Sequence, residues 1–225
     1  RGSRIRGFGG IASGPAPLVE LLIKTSEILN DLDGARLTSL DAMALDHAVA
    51  SCVVSGNVRR SARMSIKHWA DSDILDFIDA KLHSPDSHWS TNISVEIDDL
   101  FFSMLAKKHP LAESVFHSVV MGMVANGEPG FYNSSLASVG EVDDVRATNP
   151  CGEQPLAEWE GCNLGHVNLA AFGEDIEGAC EAARLMTRFL IRATNCDIED
   201  GNQRTVVTRN RRIGVGLFGV QEWAA

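Results

Sequence analysis

The sequence predicts a mixed α/β fold. Three observations carry that expectation. Apolar residues recur at helical spacing in six segments, and alternating stretches at 62–66 and 93–97 read as half-buried strands. A composition of 44% hydrophobic and 22% charged residues over 225 positions supplies one sizeable core or two small ones.

The chain opens on a glycine-rich loop, Arg6 to Pro15, running into a helix. Ser13 is the candidate cap, with Leu18, Leu21, Leu22, Ile28 and Leu29 behind it. After a polar turn at 31–37, Thr38 or Ser39 caps a second helix, which presents Leu40, Met43, Ala44, His47 and Ala48 on one face and ends near Val54. Ser55 to Ser61 is a polar loop, and Ala62, Met64 and Ile66 alternate as in a strand. A helix over 72–82 turns Ile74, Leu75, Ile78 and Leu82 inward; a strand follows at Ile93, Val95 and Ile97, then helices over 98–108 and 112–125. Gly127 to Gly130 is a turn, and 146–169 is rich in Pro, Gly and Asn, with short extended pieces. A long helix from Glu174 to Ala193 places Ile176, Ala179, Cys180, Ala183 and Met186 on one face, and a polar segment leads to Arg211-Arg212-Ile213-Gly214. No repeat or interdomain linker stands out.

The formal charge of -10 argues against binding DNA or RNA polymers, whose phosphates demand many Lys and Arg contacts, although a single nucleotide needs only a few local cations. No run reaches the roughly 18 apolar residues of a membrane span, and Arg1 to Gly10 has no apolar stretch of a secretion signal, so a cytoplasmic location is expected. Five irregularly spaced cysteines without a CxxC pair suggest neither a disulfide framework nor zinc. His47, His68, His117 and His166 lack ligand spacing, so no metal site is expected.

The most informative stretch is Thr148-Asn149-Pro150-Cys151-Gly152-Glu153-Gln154-Pro155-Leu156, followed by Glu160-Gly161-Cys162-Asn163-Leu164-Gly165. Two prolines exclude a helix interior. In an extended backbone Asn149, Cys151 and Glu153 project to one side, joining an amide, a thiol and a carboxylate, with Cys162 on a returning segment. At neutral pH an ordinary thiol is protonated and an ordinary carboxylate ionised, which sets a hydrogen-atom source beside a base. Spacing alone also fits a plain turn at Asn149-Pro150, a surface Glu153 and two small buried cysteines.

Thr148 to Glu153 with Cys162-Asn163-Leu164 resembles the finger-loop signature of ribonucleotide reductases. Further segments resemble the same family in the same order: Ala12 to Pro15, Val54 to Ala62, Asn126 to Gly130 and Asn210 to Gly214. The resemblance implies part of a ten-stranded α/β barrel with a central finger loop at about 148–156, the chain being an internal piece of the catalytic domain across 1–225. It implies thiyl-radical reduction of ribonucleotides to 2′-deoxyribonucleotides. By resemblance Cys151 removes the ribose 3′ hydrogen, Glu153 is the base at the 3′ hydroxyl, Asn149 bonds substrate hydroxyls and Cys162 is one of the reducing pair, its partner lying upstream of residue 1.

Arg6 to Pro15 and Ser55 to Ala62 match the family's specificity loops. Gly9, Gly10, Ser13, Gly14, Asn57, Arg59 and Arg60 are therefore the candidates for binding a deoxynucleotide effector and relaying its identity to the substrate base. Glycines admit phosphates to backbone N–H groups, and arginines bind them in bidentate fashion. Val54 to Ala62 together with His88-Trp89-Ser90 looks most like the monomeric adenosylcobalamin-dependent branch acting on triphosphates, with a dithiol reductant such as thioredoxin. One departure is Ser90-Thr91-Asn92, where that branch has a doubled asparagine. The alternatives are a class I chain, which uses diphosphates and a metal-bearing subunit, and a nicotinamide or flavin oxidoreductase. Gly7-x-Gly9-x-x-Ala12 and Gly214-x-Gly216-x-x-Gly219 match the loose dinucleotide pattern, but Arg1 to Arg6 is not the hydrophobic strand that fold requires.

Overall fold

The computed structural model describes residues 2–5, 9–55, 61–82 and 88–225. The chain divides into two compact units, Arg1–Ala137 and Ser138–Ala225, a division that no linker composition announced.

In the first unit, a short antiparallel contact between Arg4 and Ile11 precedes α1 (Ala16–Asp31). Ser13 is not its cap: Pro15 occupies the N-cap position without a side-chain hydrogen bond, because proline already has the φ a helix start needs. Of the apolar residues assigned to this helix only Ile28 is buried, and Leu18, Leu22 and Leu29 are exposed. Helix α2 (Ser39–Val54) begins as expected. Thr38 accepts from the backbone of Asp41 while the Asp41 carboxylate accepts from the backbone of Thr38, a reciprocal capping box.

Strands β1 (Arg63–His68), β2 (Thr91–Ile97) and β3 (Gly130–Asn133) form a parallel sheet in that order. Parallel neighbours need crossovers, supplied by α3 (Ile74–Asp79) after β1 and by α4 (Asp99–Ala106) and α5 (Pro110–Asn126) after β2. The third helix is shorter than the 72–82 expected and turns Ile74, Phe77 and Ile78 inward, leaving Leu75 exposed. These residues pack with Ile93, Val95, Ile97, Phe101, Val115 and Val119 into one core. Asp98 caps α4 by accepting from Phe101 N at 2.7 Å and fastens β1 by accepting from Trp69 Nε1 at 3.0 Å. Helix α6 (Ser134–Ala137) closes the unit.

The second unit holds an antiparallel pair, β4 (Val145–Thr148) with β5 (Pro155–Ala157), and a parallel pair, β6 (Leu164–Asn168) with β7 (Gly214–Phe218). The parallel pair is bridged by α7 (Ile176–Ala193) and α8 (Gly201–Asn210), capped by Asp175 and Asp200. Leu190 and Ala179 are the buried residues of α7, while Ile176 and Cys180 are exposed. Helix α8 lies in the segment expected to be merely polar, and α9 (Val220–Ala224) follows β7.

Glycines 214 and 216 lie inside β7 rather than in a strand-to-helix turn, so they do not form a dinucleotide loop. A Cβ on Gly214 would come within 2.4 Å of Leu164 and 2.5 Å of Gln154, and one on Gly216 within 2.4 Å of the His166 ring. The glycines make room for side chains of neighbouring segments.

Candidate active site

The β4–β5 hairpin presents Cys151 at its end. Asn149 opens a turn in which Gly152 N donates to Asn149 O at 2.9 Å, with Pro150 and Cys151 between them and Gly152 at a φ of 86°. Asn, Pro and Gly stand where such a turn favours them. The extended backbone inferred from alternate spacing is therefore replaced by a turn, and the side chains meet by another route. Asn149 is buried; its Oδ1 accepts from Gln154 N at 3.0 Å and its Nδ2 donates to Glu153 Oε1 at 2.6 Å. Asn149 N also donates to Gln154 O at 3.2 Å, closing the hairpin end.

Cys151 and Glu153 are exposed. Cys162 is exposed too, on the segment leading into β6, yet partial burial raises its thiol above the ordinary cysteine value. A hydrogen bond with the Asn149 side chain opposes that rise, and the charges of Glu153 and Cys151 add to it. The second thiol thus faces the same cluster of amide, carboxylate and thiol, and it stays protonated at neutral pH. A cavity of about 200 Å³ lies beside it, lined by Glu160, Asn163, Thr194, Gln203, Val207 and Arg212 among others.

Several residues here carried no role in the sequence reading. The Gln154 side chain is buried against Gly214, and neither amide atom has a hydrogen-bond partner among the described residues. Arg212 forks onto Glu141 and approaches Glu160, a carboxylate only 1% exposed. Arg212 lies in the Asn210 to Gly214 motif, but nothing in its spacing tied it to acids 52 and 71 residues earlier.

The candidate effector residues belong to the first unit. Gly9, Gly10 and Gly14 have φ values of 69°, 99° and 78°, conformations open to glycine. Ser55 Oγ donates to Ser13 Oγ at 3.1 Å, so the ends of the two loops touch. Asn57, Arg59 and Arg60 lie outside the described residues. Between α1 and α2 is a cavity of about 510 Å³ whose lining includes Lys24, His47, Cys52, Ser55 and His88. His47 Nδ1 lies 2.9 Å from Ser90 Oγ, and His68 Nε2 lies 3.3 Å from Asp98 Oδ2. Among the described residues no cluster of side chains suits a metal ion, and no helix is long and apolar enough to cross a membrane.

Residues 104–225 match the family described as ribonucleotide reductase, barrel domain, and residues 1–29 match the B12-dependent ribonucleotide reductase insertion domain. A protein of Mycobacterium phage D29, assigned as an adenosylcobalamin-dependent ribonucleoside-triphosphate reductase, is 50% identical over all of this chain and 35% of its own length. The adenosylcobalamin-dependent ribonucleoside-triphosphate reductase of Lactobacillus leichmannii is 34% identical over 99% of this chain and 30% of its own. The chain thus spans about a third of the length of these curated relatives. A crystal structure of a B12-dependent, class II ribonucleotide reductase superposes with a TM-score of 0.76 at 33% identity, covering 99% of this chain and 30% of that one. The alpha subunit of the class Id enzyme of Actinobacillus ureae shares the fold alone, with a TM-score of 0.56 at 17% identity over 92% of this chain and 45% of that one.

Proposed function

The chain belongs to the ribonucleotide reductase family, and on that premise we propose that the intact protein reduces ribonucleoside triphosphates to 2′-deoxyribonucleotides by thiyl-radical chemistry, with adenosylcobalamin as cofactor. The observation that carries the reading is the meeting of Asn149, Glu153 and Cys162 at the hairpin end that bears Cys151. An accessible thiol suits the chemistry such a cofactor supplies. Cys151 is an exposed thiol at a turn, and a thiol gives up a hydrogen atom more readily than an alcohol does. When bound, adenosylcobalamin would supply the radical that converts this thiol to a thiyl.

The residues then divide the work. The Cys151 thiyl takes the 3′ hydrogen atom of the ribose, becoming a thiol. Glu153, already oriented by Asn149 Nδ2, accepts the proton of the 3′ hydroxyl. The 2′ hydroxyl departs as water with a proton from the reducing pair, to which Cys162 contributes. A thiol held above its ordinary pKa retains that proton until it is needed. The pair supplies two electrons and a second proton, which complete the new C2′–H bond, and closes as a disulfide; Glu153 returns its proton to the 3′ oxygen, Cys151 returns its hydrogen atom to C3′ and is left as the thiyl, and a dithiol partner of the thioredoxin kind restores the pair. Gly9, Gly10, Ser13, Gly14, Asn57, Arg59 and Arg60 are assigned to the deoxynucleotide effector; the Ser13 to Ser55 hydrogen bond supports a single site built from both loops. The net charge of -10 suits a mononucleotide ligand rather than a nucleic-acid polymer.

The test is Cys151→Ser in the intact protein, assayed for deoxynucleotide formation and for tritium exchange from the substrate. Both should vanish while nucleotide binding persists. Substantial turnover in the serine variant would end the radical reading.

A further inference from the structure

Arg212 stands immediately ahead of β7 and reaches both feet of the hairpin that carries Cys151. Its Nη1 and Nη2 donate to Glu141 Oε1 and Oε2 at 3.1 and 2.6 Å, and its Nε lies 2.9 Å from Glu160 Oε1. Glu141 precedes β4 and Glu160 follows β5. Glu160 holds the returning strand as well, its Oε2 accepting from Ala157 N at 2.8 Å. Two residues beyond Glu160 comes Cys162, so one guanidinium joins the segment of the first thiol to that of the second.

The anchor is itself fixed on both sides. Arg211 caps α8 in the left-handed conformation and its Nη1 donates to Thr194 Oγ1 at 2.9 Å. Gly214 N donates to Asn163 O at 2.9 Å, next to Cys162. A two-stranded ribbon is marginal on its own, and this one carries a register shift between Val145 and Ala147, so it needs an outside constraint to hold one geometry. A largely buried ion cluster is weak as a source of stability but can select one arrangement.

We propose that Arg212, with Glu141 and Glu160, is a positioning residue that sets the separation between the hairpin end bearing Cys151 and Glu153 and the segment bearing Cys162. The proposal rests on the radical reading for its catalytic consequence but not for its geometry. Lysine cannot substitute, because one ammonium does not fork onto Glu141 while also reaching Glu160.

The test compares Arg212→Gln, Arg212→Lys and Glu160→Gln in the intact, reduced protein. Displacement of about 1 Å at a reacting centre costs up to roughly a hundredfold in rate, so kcat should fall at least about tenfold with KM for the ribonucleotide changed by less than about threefold. Alkylation of Cys162, resolved from other cysteines by peptide mass spectrometry, should shift to lower pH as the thiol leaves its packed place near Glu153 and Cys151. Arg212→Lys should not restore either property. A variant that melts lower but keeps wild-type kcat per folded molecule and a wild-type alkylation profile overturns the proposal, as does loss of kcat with that profile unmoved. If Arg212→Gln does not fold, Arg212→Lys and Glu141→Gln give the same comparison. Failure of the radical reading shows separately, as activity in Cys151→Ser, and leaves the alkylation result intact.

Discussion

Replacing Asn149 by alanine removes its side-chain bonds to Gln154 N, Glu153 and Cys162, of which only the first satisfies a buried backbone N–H. Two backbone hydrogen bonds of the turn, Gly152 N to Asn149 O and Asn149 N to Gln154 O, do not involve the side chain and survive. What is lost is the Oδ1 acceptor of Gln154 N, in a place where Asn149 and Gln154 are only 4% and 5% exposed. A buried N–H left without a partner costs about 1–3 kcal/mol. The bond from Nδ2 to Glu153 adds little, because Glu153 is exposed and water takes the amide's place. At about 1.4 kcal/mol per factor of ten, hydrogen exchange at the Gln154 amide should quicken by about fivefold to a hundredfold or more. The assay is exchange in the intact protein, resolved to single amides by fragmentation in the mass spectrometer, with Gly152 N as internal reference. Asn149→Asp keeps an acceptor for Gln154 N and should retain most of the protection while losing the donor to Glu153. Wild-type protection at Gln154 in Asn149→Ala would refute the assignment of Asn149 as the clasp of the turn.

The Cys162 thiol should react with iodoacetamide at higher pH than an ordinary cysteine; Glu153→Gln removes a charge that raises it and should move the profile down, whereas Asn149→Ala removes a bond that lowers it and should move the profile up. Identical shifts in both variants would contradict the geometry. Gly219→Ala should destabilise by about 2–4 kcal/mol, since φ is 68° and the new Cβ would lie 2.5 Å from Asn168 Oδ1 and 2.9 Å from Ala170 Cβ. Gly216→Ala should cost under about 1 kcal/mol, because only the exposed His166 ring must turn aside; thermal unfolding separates the two. Asp73 is held down at about 2, first by the hydrogen bond from Lys67 and then by that from Ser39. Its folded value lies below its unfolded one, so its contribution is full above about pH 4 and disappears as pH falls through about 2. Asp73→Asn should lower stability at pH 7 and flatten that part of the acid unfolding profile; an unchanged profile would count against the network.

The sequence was legible where a single local signal decides. Thr38, one of the two candidate caps, does cap α2, with Asp41 completing a capping box in the structure, and Ile93, Val95 and Ile97 alternate because one face of β2 packs into the core. It was least legible where tertiary packing overrides local pattern. Phe77 is 2% exposed while Leu75, a better fit to the assumed face, is 40% exposed, because α3 is only six residues long and its orientation is set by the core. Strand β3 follows directly on the Gly127 to Gly130 turn and is too short to show a period. Helix α8 is polar because Val206 is its single buried residue, so it has almost no apolar stripe to read.

The site shows the same division in sharper form. The motif singled out Asn149, Cys151, Glu153 and Cys162, which the fold brings to one hairpin end, but the backbone geometry inferred from alternate spacing was wrong, since a Pro and a Gly two positions apart favour a turn over extension. The residues that hold the turn in place were illegible for a different reason. Glu141, Glu160 and Arg212 are separated by 19 and 52 positions, and each alone reads as a surface charge. Only once the segments flanking β4, β5 and β7 converge on one guanidinium does that reading fail, since a carboxylate 1% exposed cannot be a solvated one. The same holds for the glycines of β7. As a string, Gly214-x-Gly216-x-x-Gly219 fits a dinucleotide loop; in the strand, Gly214 is the space that Gln154, the residue after Glu153, requires. A glycine pattern therefore records a close approach without saying what approaches, and here it is Leu164 and His166 of the neighbouring strand together with Gln154 of the hairpin.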